Sequence, residues 1–243
     1  MKQQQSDFLD SSASLYHSKI IKDWEKLYLK KREFLYSKMR QNTQGSSVLE
    51  MGCADGIMTQ WLVRDYPDVT VVDGSDVFLQ QVSSRIQAVN VHFECALFEE
   101  YSPNRQYDII MMTHIIEHLE DPVTVLRRTQ NWISPGGQIF VTVPNANSIH
   151  RLVGTKMGLL KTPDSLNHQD LLLGHKRVYS PESLKTQIYE AGYDIEKFGG
   201  CMIKPLSNRQ IETDWSDELI DAFFALGEDF PDLCSEIYAV LKV

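Results

Sequence analysis

A glycine-bearing turn and a more distant acid are the residues of this chain best suited to holding a cofactor. The run EMGCADG at positions 50–56 follows an apolar stretch, SVLEM. Gly52 and Gly56 permit backbone conformations and close approaches that a side chain would block. The next apolar stretch, VTVVD, ends on Asp73, whose carboxylate could accept hydrogen bonds from a ribose. Together these residues indicate a site for an adenosine-containing cofactor.

The spacing of the small residues helps to choose between two such cofactors. Dinucleotide-binding turns read G-x-G-x-x-G, and their last glycine opens a helix under a pyrophosphate. This turn reads G-x-A-x-G and comes directly after an acidic strand residue, Glu50. S-adenosylmethionine has no phosphate but carries an ammonium and a sulfonium, whose positive charge Glu50 can offset. The turn therefore favours S-adenosylmethionine, and NAD is the alternative.

A pair of histidines follows the apolar stretch YDIIMMT, in the string THIIEH at positions 113–118. The pattern H-x-x-E-H also occurs in one group of zinc peptidases, where two histidines share a metal. Here the string begins directly at the end of a predicted strand, so we predict no metal. His114 and His118 are instead candidate catalytic residues, because a neutral histidine can accept a proton from a hydroxyl or amine. The alternative for His118 is a hydrogen bond to Glu117 or to the backbone.

Basic residues are concentrated farther along the chain. Residues 149–209 hold nine Lys and Arg against six Asp and Glu, whereas the whole chain has a net charge of -9. Arginine is suited to bidentate contact with carboxylate or phosphate. We therefore expect a small, anionic acceptor, either phosphorylated, sugar-linked or a carboxylate. Its candidate contacts are Asn147, His150, Arg151, His175, Arg177 and Tyr179, each of which could alternatively have a surface or capping role.

The elements that must position these residues alternate between strand and helix. Near-continuous apolar strands separated by helical patterns predict an α/β fold with a doubly wound, mostly parallel sheet covered on both faces. Late strands at 193–198 and 236–242 would complete seven strands, and residues 15–39 have helical periodicity. Ligands on such sheets bind at the carboxyl ends of the strands. The candidate residues follow strands, as this rule requires.

As a set, these motifs resemble the class I S-adenosylmethionine-dependent methyltransferases. The turn E-x-G-x-A-x-G is similar to their first motif, and HIIEHLEDP, VPN and GHKRVYSP resemble segments of the ubiquinone-biosynthesis-like members. The resemblance covers about residues 45–200. It implies a Rossmann-like sheet and direct in-line transfer of a methyl group to O or N, with S-adenosylhomocysteine as the product. A non-catalytic relative that only binds the cofactor is the alternative, and an NAD-dependent oxidoreductase is a more distant one.

The resemblance also implies which residues surround the cofactor. An Asp or Asn often stands at the position of Ala96, so adenine would here be held by backbone groups and by Leu97 or Phe98, unless those two are simply core. It further implies an N-terminal helical lid over residues 1–44 and a domain over 45–243 with an acceptor-side insertion at about 145–180. The implied cofactor contacts are Glu50, Gly52, Cys53, Ala54, Gly56, Asp73, Gly74, Ala96, Leu97, Phe98, Thr113, His114 and Tyr16.

Composition excludes several other functional classes. A net charge of -9 argues against a general nucleic-acid binder, because phosphate contacts need clustered Lys and Arg. No apolar run approaches the roughly 20 residues that span a bilayer, and residues 1–12 lack the apolar stretch of a secretory signal. The four cysteines are scattered, without a C-x-x-C pair. We expect a cytoplasmic enzyme that acts on a small molecule and that could form a homodimer.

Overall fold

Seven strands form the centre of the computed structural model, which describes Asp10 and residues 25–243. They are β1 (Ser47–Met51), β2 (Asp68–Asp73), β3 (Val91–Cys95), β4 (Tyr107–Thr113), β5 (Ile133–Pro144), β6 (Asp194–Cys201) and β7 (Glu236–Lys242). They form one sheet in the order β3-β2-β1-β4-β5-β7-β6. Strands β1 to β5 are parallel, and β7 is antiparallel to both of its neighbours. The predicted doubly wound, mostly parallel sheet is confirmed, including both late strands.

Helices connect the strands and cover both faces of the sheet. They are α1 (Glu25–Asn42), α2 (Ile57–Asp65), α3 (Asp76–Arg85), α4 (Pro122–Thr129), α5 (Ile149–Lys156), α6 (His168–Leu172), α7 (Pro181–Glu190), α8 (Asn208–Asp214) and α9 (Asp217–Asp229). Three of them begin at residues whose types predict helix starts: the side chains of Ser75, Asp121 and Ser180 accept hydrogen bonds from backbone N–H groups of the first turn. No helix among the described residues is long and apolar enough to cross a membrane.

Strand alternation divides the core into two layers. One face of the sheet packs against α1, α2, α3 and α9. The other packs against α4 and α7. Helix α1 belongs to the first layer, because its Leu27, Leu35 and Met39 are almost completely buried there. This helix therefore lies directly over the sheet face from which the strand-end side chains of the site project.

The direction of the strands decides where the functional residues meet. Because β7 reverses the chain and β6 pairs antiparallel to it, β6 runs in the same direction as β1 to β5. The carboxyl ends of six strands and the first residue of β7, Glu236, therefore share one edge. This is the edge at which ligands bind in open α/β sheets.

Candidate functional site

Unusual backbone conformations among the non-glycine residues are concentrated at this edge. In the described part of the chain, three such residues have positive φ: Ala54 at 44°, His114 at 56° and Met202 at 59°. They follow β1, β4 and β6 respectively. Left-handed conformations are costly for residues with a Cβ and cluster at functional sites. The backbone thus marks the same edge as the candidate residues do.

The glycine turn after β1 is built for close approach. Gly52 has φ of 82°, and a Cβ added there would lie 2.3 Å from Cδ1 of Ile115 and 3.7 Å from Cζ of Phe98. Gly56 has φ of 78° and begins α2, where a Cβ would meet Val82 at 2.8 Å. Both glycines are therefore required by conformation and by space. The contact with Ile115 also places the segment after β4 directly against the turn.

Asp73, at the end of β2, organises the turn as well as facing the site. One carboxylate oxygen accepts a hydrogen bond from the N–H of Cys53 at 3.0 Å, and the other accepts from the N–H of Ser75 at 2.9 Å. Burial raises the pKa of Asp73, although these N–H groups oppose the shift. A carboxylate has about four lone-pair sites. It can therefore hold the turn and still accept hydrogen bonds from a ribose.

Glu50 is buried beneath the turn rather than exposed in it. Its Oε2 accepts a hydrogen bond from the hydroxyl of Thr59 at 2.6 Å, and burial raises its pKa to about 8. The carboxyl group is therefore largely protonated at neutral pH. A cation bound nearby would favour its ionised form. This position suits the predicted role of offsetting positive charge, exerted from below the turn.

The residues after β3 lie beside the same turn. The N–H of Ala96 donates to the carbonyl of Asp73 at 3.0 Å. Ala96 and Phe98 pack against the second core layer, and Leu97 is partly buried. The ring of Phe98 also approaches Gly52. The structure thus brings the segment 96–98 to the turn, as the sequence predicts, with a core contact as well.

Helix α1 contacts the turn through an acid that the sequence analysis did not single out. Asp55 accepts hydrogen bonds from the hydroxyl of Tyr28 at 2.9 Å and from Arg32 at 3.3 Å. The hydroxyl of Ser75 hydrogen-bonds the carboxylate of Asp10 at 2.6 Å, so the N-terminal segment reaches the same place. Tyr16, a predicted cofactor contact, lies outside the described residues.

His114 is enclosed by two carboxylates. Its Nδ1 is 3.1 Å from Oε1 of Glu117 and its Nε2 is 3.3 Å from Oε2 of Glu236. Burial lowers the pKa of His114, but the two acids outweigh it and raise the pKa to about 9. The ring is therefore an imidazolium at neutral pH. In this protonation state it has no lone pair with which to accept a proton.

His118 is in the opposite protonation state. Residues 114–118 form turns rather than a helix, and the N–H of His118 donates to the carbonyl of Ile115 at 3.0 Å. Burial lowers the pKa of His118, and the charge of Glu117 only partly opposes this shift. The ring packs edge-on against His175, with centroids 4.8 Å apart. At neutral pH it is uncharged and able to accept a proton.

Two side chains of this loop and one of a neighbouring segment are candidate ligands for a metal ion. Among the described residues, ligand atoms of Glu117, His118 and His175 all lie within 4.8 Å of one another. Oε2 of Glu117 is buried without a hydrogen-bond partner there, and Nδ1 of His175 is 3.2 Å from Asp170. Ligands about 2.1 Å from a tetrahedral zinc ion are about 3.4 Å apart. The three groups would therefore have to move closer together to hold such an ion.

The two arginines predicted to contact the acceptor have partners within the protein. Arg151 donates to the backbone carbonyl of Pro163 at 2.7 Å, contacts that of Ser165 and pairs with Asp170 at 3.2 Å. Arg177 reaches the carbonyl of Glu120 at 3.1 Å. These contacts fasten the 145–180 segment to itself and to the loop after β4.

The other residues predicted to contact the acceptor do not all lie at one place. Asn147, Arg177 and Tyr179 line one surface groove. The hydroxyl of Tyr179 donates to Oε1 of Gln187 at 2.7 Å. His150, in the first turn of α5, is partly buried, and its Nδ1 has no partner among the described residues. Of this set, His150 has the polar atom best suited to receive a ligand.

Besides Asp55, three charged residues at this edge were not identified from the sequence. Lys31 of α1 forms an ion pair with Glu236, whose second oxygen faces His114. The charge of Lys204, three residues beyond β6, acts on His150. The only signal for them is weak: Glu236 and Lys204 are single charges bordering apolar residues.

The edge fits an adenosine-containing cofactor on its own geometry. The turn has the close backbone approach that such a ligand needs, and Asp73 keeps free lone pairs beside it. Oγ1 of Thr113, at the end of β4, is buried without a partner among the described residues. Such orphaned polar atoms in a native fold call for a ligand or water to complete them.

Comparisons of the sequence place this geometry in a family. The sequence model of a methyltransferase domain matches residues 20–197, well over half of the chain. The chain is 27% identical to a ubiquinone biosynthesis O-methyltransferase of Aeromonas salmonicida over 172 residues, covering 68% of this chain and 70% of the relative. It is 28% identical to the corresponding protein of Xylella fastidiosa over 196 residues, covering 75% and 74%.

Solved structures agree on the fold. Magnesium protoporphyrin IX methyltransferase from Synechocystis, with bound S-adenosylhomocysteine, superposes with a TM-score of 0.67 at 12% identity, covering 99% of each chain. An N-methyltransferase from Bradyrhizobium japonicum, also with S-adenosylhomocysteine, gives 0.61 at 14% identity, covering 96% of each. The predicted cofactor, S-adenosylmethionine, is thereby confirmed. From its glycine turn, strand-end acid, sheet order and family match, the chain belongs to the S-adenosylmethionine-dependent class I methyltransferases.

Proposed function

We propose that this methyltransferase methylates a hydroxyl or amine of a small, anionic acceptor that enters beside the loop 114–118. The observation that carries the proposal is the contact between Ile115 and Gly52, which seats this loop against the cofactor turn. On its far side the same loop contacts Lys176 and Arg177 of the acceptor-side insertion. An acceptor at this place would lie between the cofactor and the basic part of the chain.

In this proposal the cofactor is held mainly by the backbone of the turn after β1. Asp73 would accept hydrogen bonds from the ribose hydroxyls, and the turn 52–56 with Phe98 would hold the adenosine and methionine portions. Thr113 would offer a hydroxyl that has no hydrogen-bond partner among the described residues. When bound, S-adenosylmethionine supplies an electrophilic methyl group on a positively charged sulfur. Glu50 balances part of that charge from below, because its proton is readily lost when a cation is near.

The two histidines take different roles in this proposal. His118 is uncharged and accepts the proton that the acceptor oxygen or nitrogen loses as it gains the methyl group. His114, charged and pinned between Glu117 and Glu236, orients those two carboxylates and adds positive charge beside the acceptor. We therefore assign the base to His118 alone.

The proposal is tested by methyl transfer to acceptors matched in pairs. Labelled S-adenosylmethionine is incubated with catechol and dihydroxybenzoate, ethanolamine and phosphoethanolamine, and glucose and glucose phosphate. We expect the anionic member of a pair to be methylated with at least about tenfold higher kcat/KM, the value of one charge-assisted contact. Preference for the neutral members would overturn the anionic assignment. Tight cofactor binding without turnover on any pair would instead support the non-catalytic alternative.

A chelator added to the same assay tests the role of the group Glu117, His118 and His175. Since these ligand atoms are too far apart for a preformed site, we expect activity to be unchanged by EDTA. Activity that is lost with EDTA and restored by magnesium or zinc would show that these residues close around an ion. The acceptor preference and the metal dependence are independent outcomes.

A further inference from the structure

Three basic side chains from separate elements converge on the acceptor side of the edge. Lys31 comes from α1, His150 from the first turn of α5, and Lys204 from the loop beyond β6. The backbone N–H of His150 donates to the carbonyl of Lys204 at 3.1 Å, which joins two of the elements directly. Lys31 pairs with Glu236, whose neighbour in the sheet, Cys201, is three residues before Lys204. Consistent with this placement, Lys31 and Lys204 both act electrostatically on His150. The three side chains therefore form one basic cluster.

The cluster has more positive charge than the carboxylates around it can balance. Lys31 is paired with Glu236, which His114 also contacts, and Arg151 is paired with Asp170. Lys204 forms no ion pair with any residue that the structure describes. Among the described residues its Nζ hydrogen-bonds only Oδ1 of Asn208, at 2.8 Å, and an amide oxygen carries no net charge.

The protonation states of the cluster reflect this imbalance. Burial and the charge of Lys31 lower the pKa of Lys204 to about 7, although Glu236 opposes the shift and Arg151 adds to it. Burial, Lys204, Lys31 and Arg151 lower the pKa of His150 to about 2. A partly buried ammonium without a counterion is unfavourable. An anion placed there would remove the penalty.

Uncharged polar atoms near the cluster are also incomplete. In the part of the chain that the structure describes, Nδ1 of His150 and Oγ of Ser148 are buried without hydrogen-bond partners. Ser148 is the N-cap residue of α5, yet its side chain caps no backbone N–H. A hydroxyl can donate to an oxyanion, as can an imidazole in the appropriate tautomer. These atoms indicate a ligand that accepts hydrogen bonds.

We infer that Lys204, His150 and Lys31, with Ser148, form a subsite for an oxyanion of the acceptor, a carboxylate or a phosphate. The inference rests on the proposed function, and it replaces the predicted arginine contacts with lysines from outside the 145–180 segment. Of the two lysines, Lys204 is the one that forms no ion pair with a described residue, so its charge is available to a ligand. Glu236 and His114 then bound the subsite on the side of the loop 114–118.

The subsite is tested with the simplest oxyanions. Inorganic phosphate and, separately, acetate are titrated calorimetrically into the full chain saturated with S-adenosylhomocysteine. We expect one saturable site that Lys204→Gln weakens by at least about tenfold, the effect of losing one charge-assisted hydrogen bond. Lys204→Arg should retain binding, since it keeps the charge. Tighter binding of phosphate or of acetate identifies which of the two the acceptor carries.

The matched control is Lys197→Gln, which removes an exposed lysine from β6 and should leave binding unchanged. Equal affinity in Lys204→Gln and the wild type would overturn the subsite, as would the absence of saturable binding by either anion. S-adenosylhomocysteine affinity, measured on every variant, separates this result from the proposed function. A wild-type protein that binds the anion in a titration without S-adenosylhomocysteine, but does not bind S-adenosylhomocysteine itself, would contradict the proposed function and leave the subsite standing.

Discussion

The cofactor side and the acceptor side of the edge are built by different means. On the cofactor side, backbone groups and residues close in sequence do most of the work: Asp73 holds the N–H of Cys53, only 20 positions away. On the acceptor side, charged side chains from distant elements hold one another, as Lys31 and Glu236 do across 205 positions. The first arrangement is fixed mainly by backbone conformation and local hydrogen bonds. The second can be altered by single charge substitutions.

The largest expected effect breaks the cofactor side at Asp73. Asp73→Ala removes the ribose acceptor and releases the N–H groups of Cys53 and Ser75. Because the ribose would lose two charge-assisted hydrogen bonds to the carboxylate, we expect the affinity for S-adenosylmethionine to fall by about 100-fold. Calorimetric titration measures this, and Asp68→Ala, at the other end of β2, is the control. Unchanged affinity in Asp73→Ala would remove this residue from the cofactor site.

A smaller effect is expected at the glycines, where two alanine variants distinguish a steric collision from an unfavourable backbone conformation. Gly52 and Gly136 have φ of 82° and 80°, but only the Cβ of Gly52→Ala would collide, at 2.3 Å from Ile115. Gly136→Ala should cost about 1 kcal/mol in unfolding free energy, from conformation alone. Gly52→Ala should cost more and weaken S-adenosylmethionine binding by about tenfold, a shift of about 1.4 kcal/mol.

Urea unfolding and cofactor titration of both variants check this comparison. If the two alanine variants lose equal stability and bind the cofactor equally well, the contact between Gly52 and Ile115 has no role in the site. The seating of the loop 114–118 against the turn would then be incidental.

The smallest effect concerns the ion pairs of the acceptor side. The pKa of His114 is about 9 in the folded protein, above its ordinary value of 6.5. Its contribution to stability is therefore fully present below pH 6.5 and is lost as the pH rises through about 9. Because the ring is one-third exposed, we expect only about 1 kcal/mol after solvent screening.

Urea unfolding of the wild type and of His114→Gln, at several pH values, checks this prediction. Glu50 also has a raised pKa, from 4.5 to about 8, and its ionisation destabilises the folded state over an overlapping range, so the informative quantity is the difference between the two proteins. That difference should shrink as the pH rises. A difference independent of pH would mean that His114 is uncharged throughout.

The parts of the site that could be predicted from sequence are the local ones. The turn 50–56 and Asp73 are recognisable because a glycine turn after a strand and an acid after the next strand meet wherever parallel strands are neighbours. The sheet and both late strands follow from apolar runs and their spacing. Helix starts at Ser75, Asp121 and Ser180 were equally accessible, since capping depends on adjacent residues.

The acceptor side could not be predicted in the same way, because its contacts depend on the tertiary fold. Arg151 and Arg177 have the residue type that binds anions, but the carbonyls that satisfy them belong to other segments. His114 and His118 look equivalent in sequence, but His114 lies between Glu117 and Glu236, whereas His118 packs against His175. These contacts help to give the two rings different protonation states. His114 has a positive φ, and the chain therefore leaves β4 in a turn instead of a helix. No pattern in the neighbouring sequence predicts this conformation.

Helix α1 touches both sides. Its Tyr28 and Arg32 hold Asp55 of the cofactor turn, and its Lys31, between them in sequence, holds Glu236. A substitution of Lys31 that changes acceptor preference would therefore alter a helix that also holds the cofactor turn. If the proposed acceptor subsite is correct, a chimaera that borrows residues 145–180 from a relative would inherit only part of it, and α1 would have to be transplanted as well.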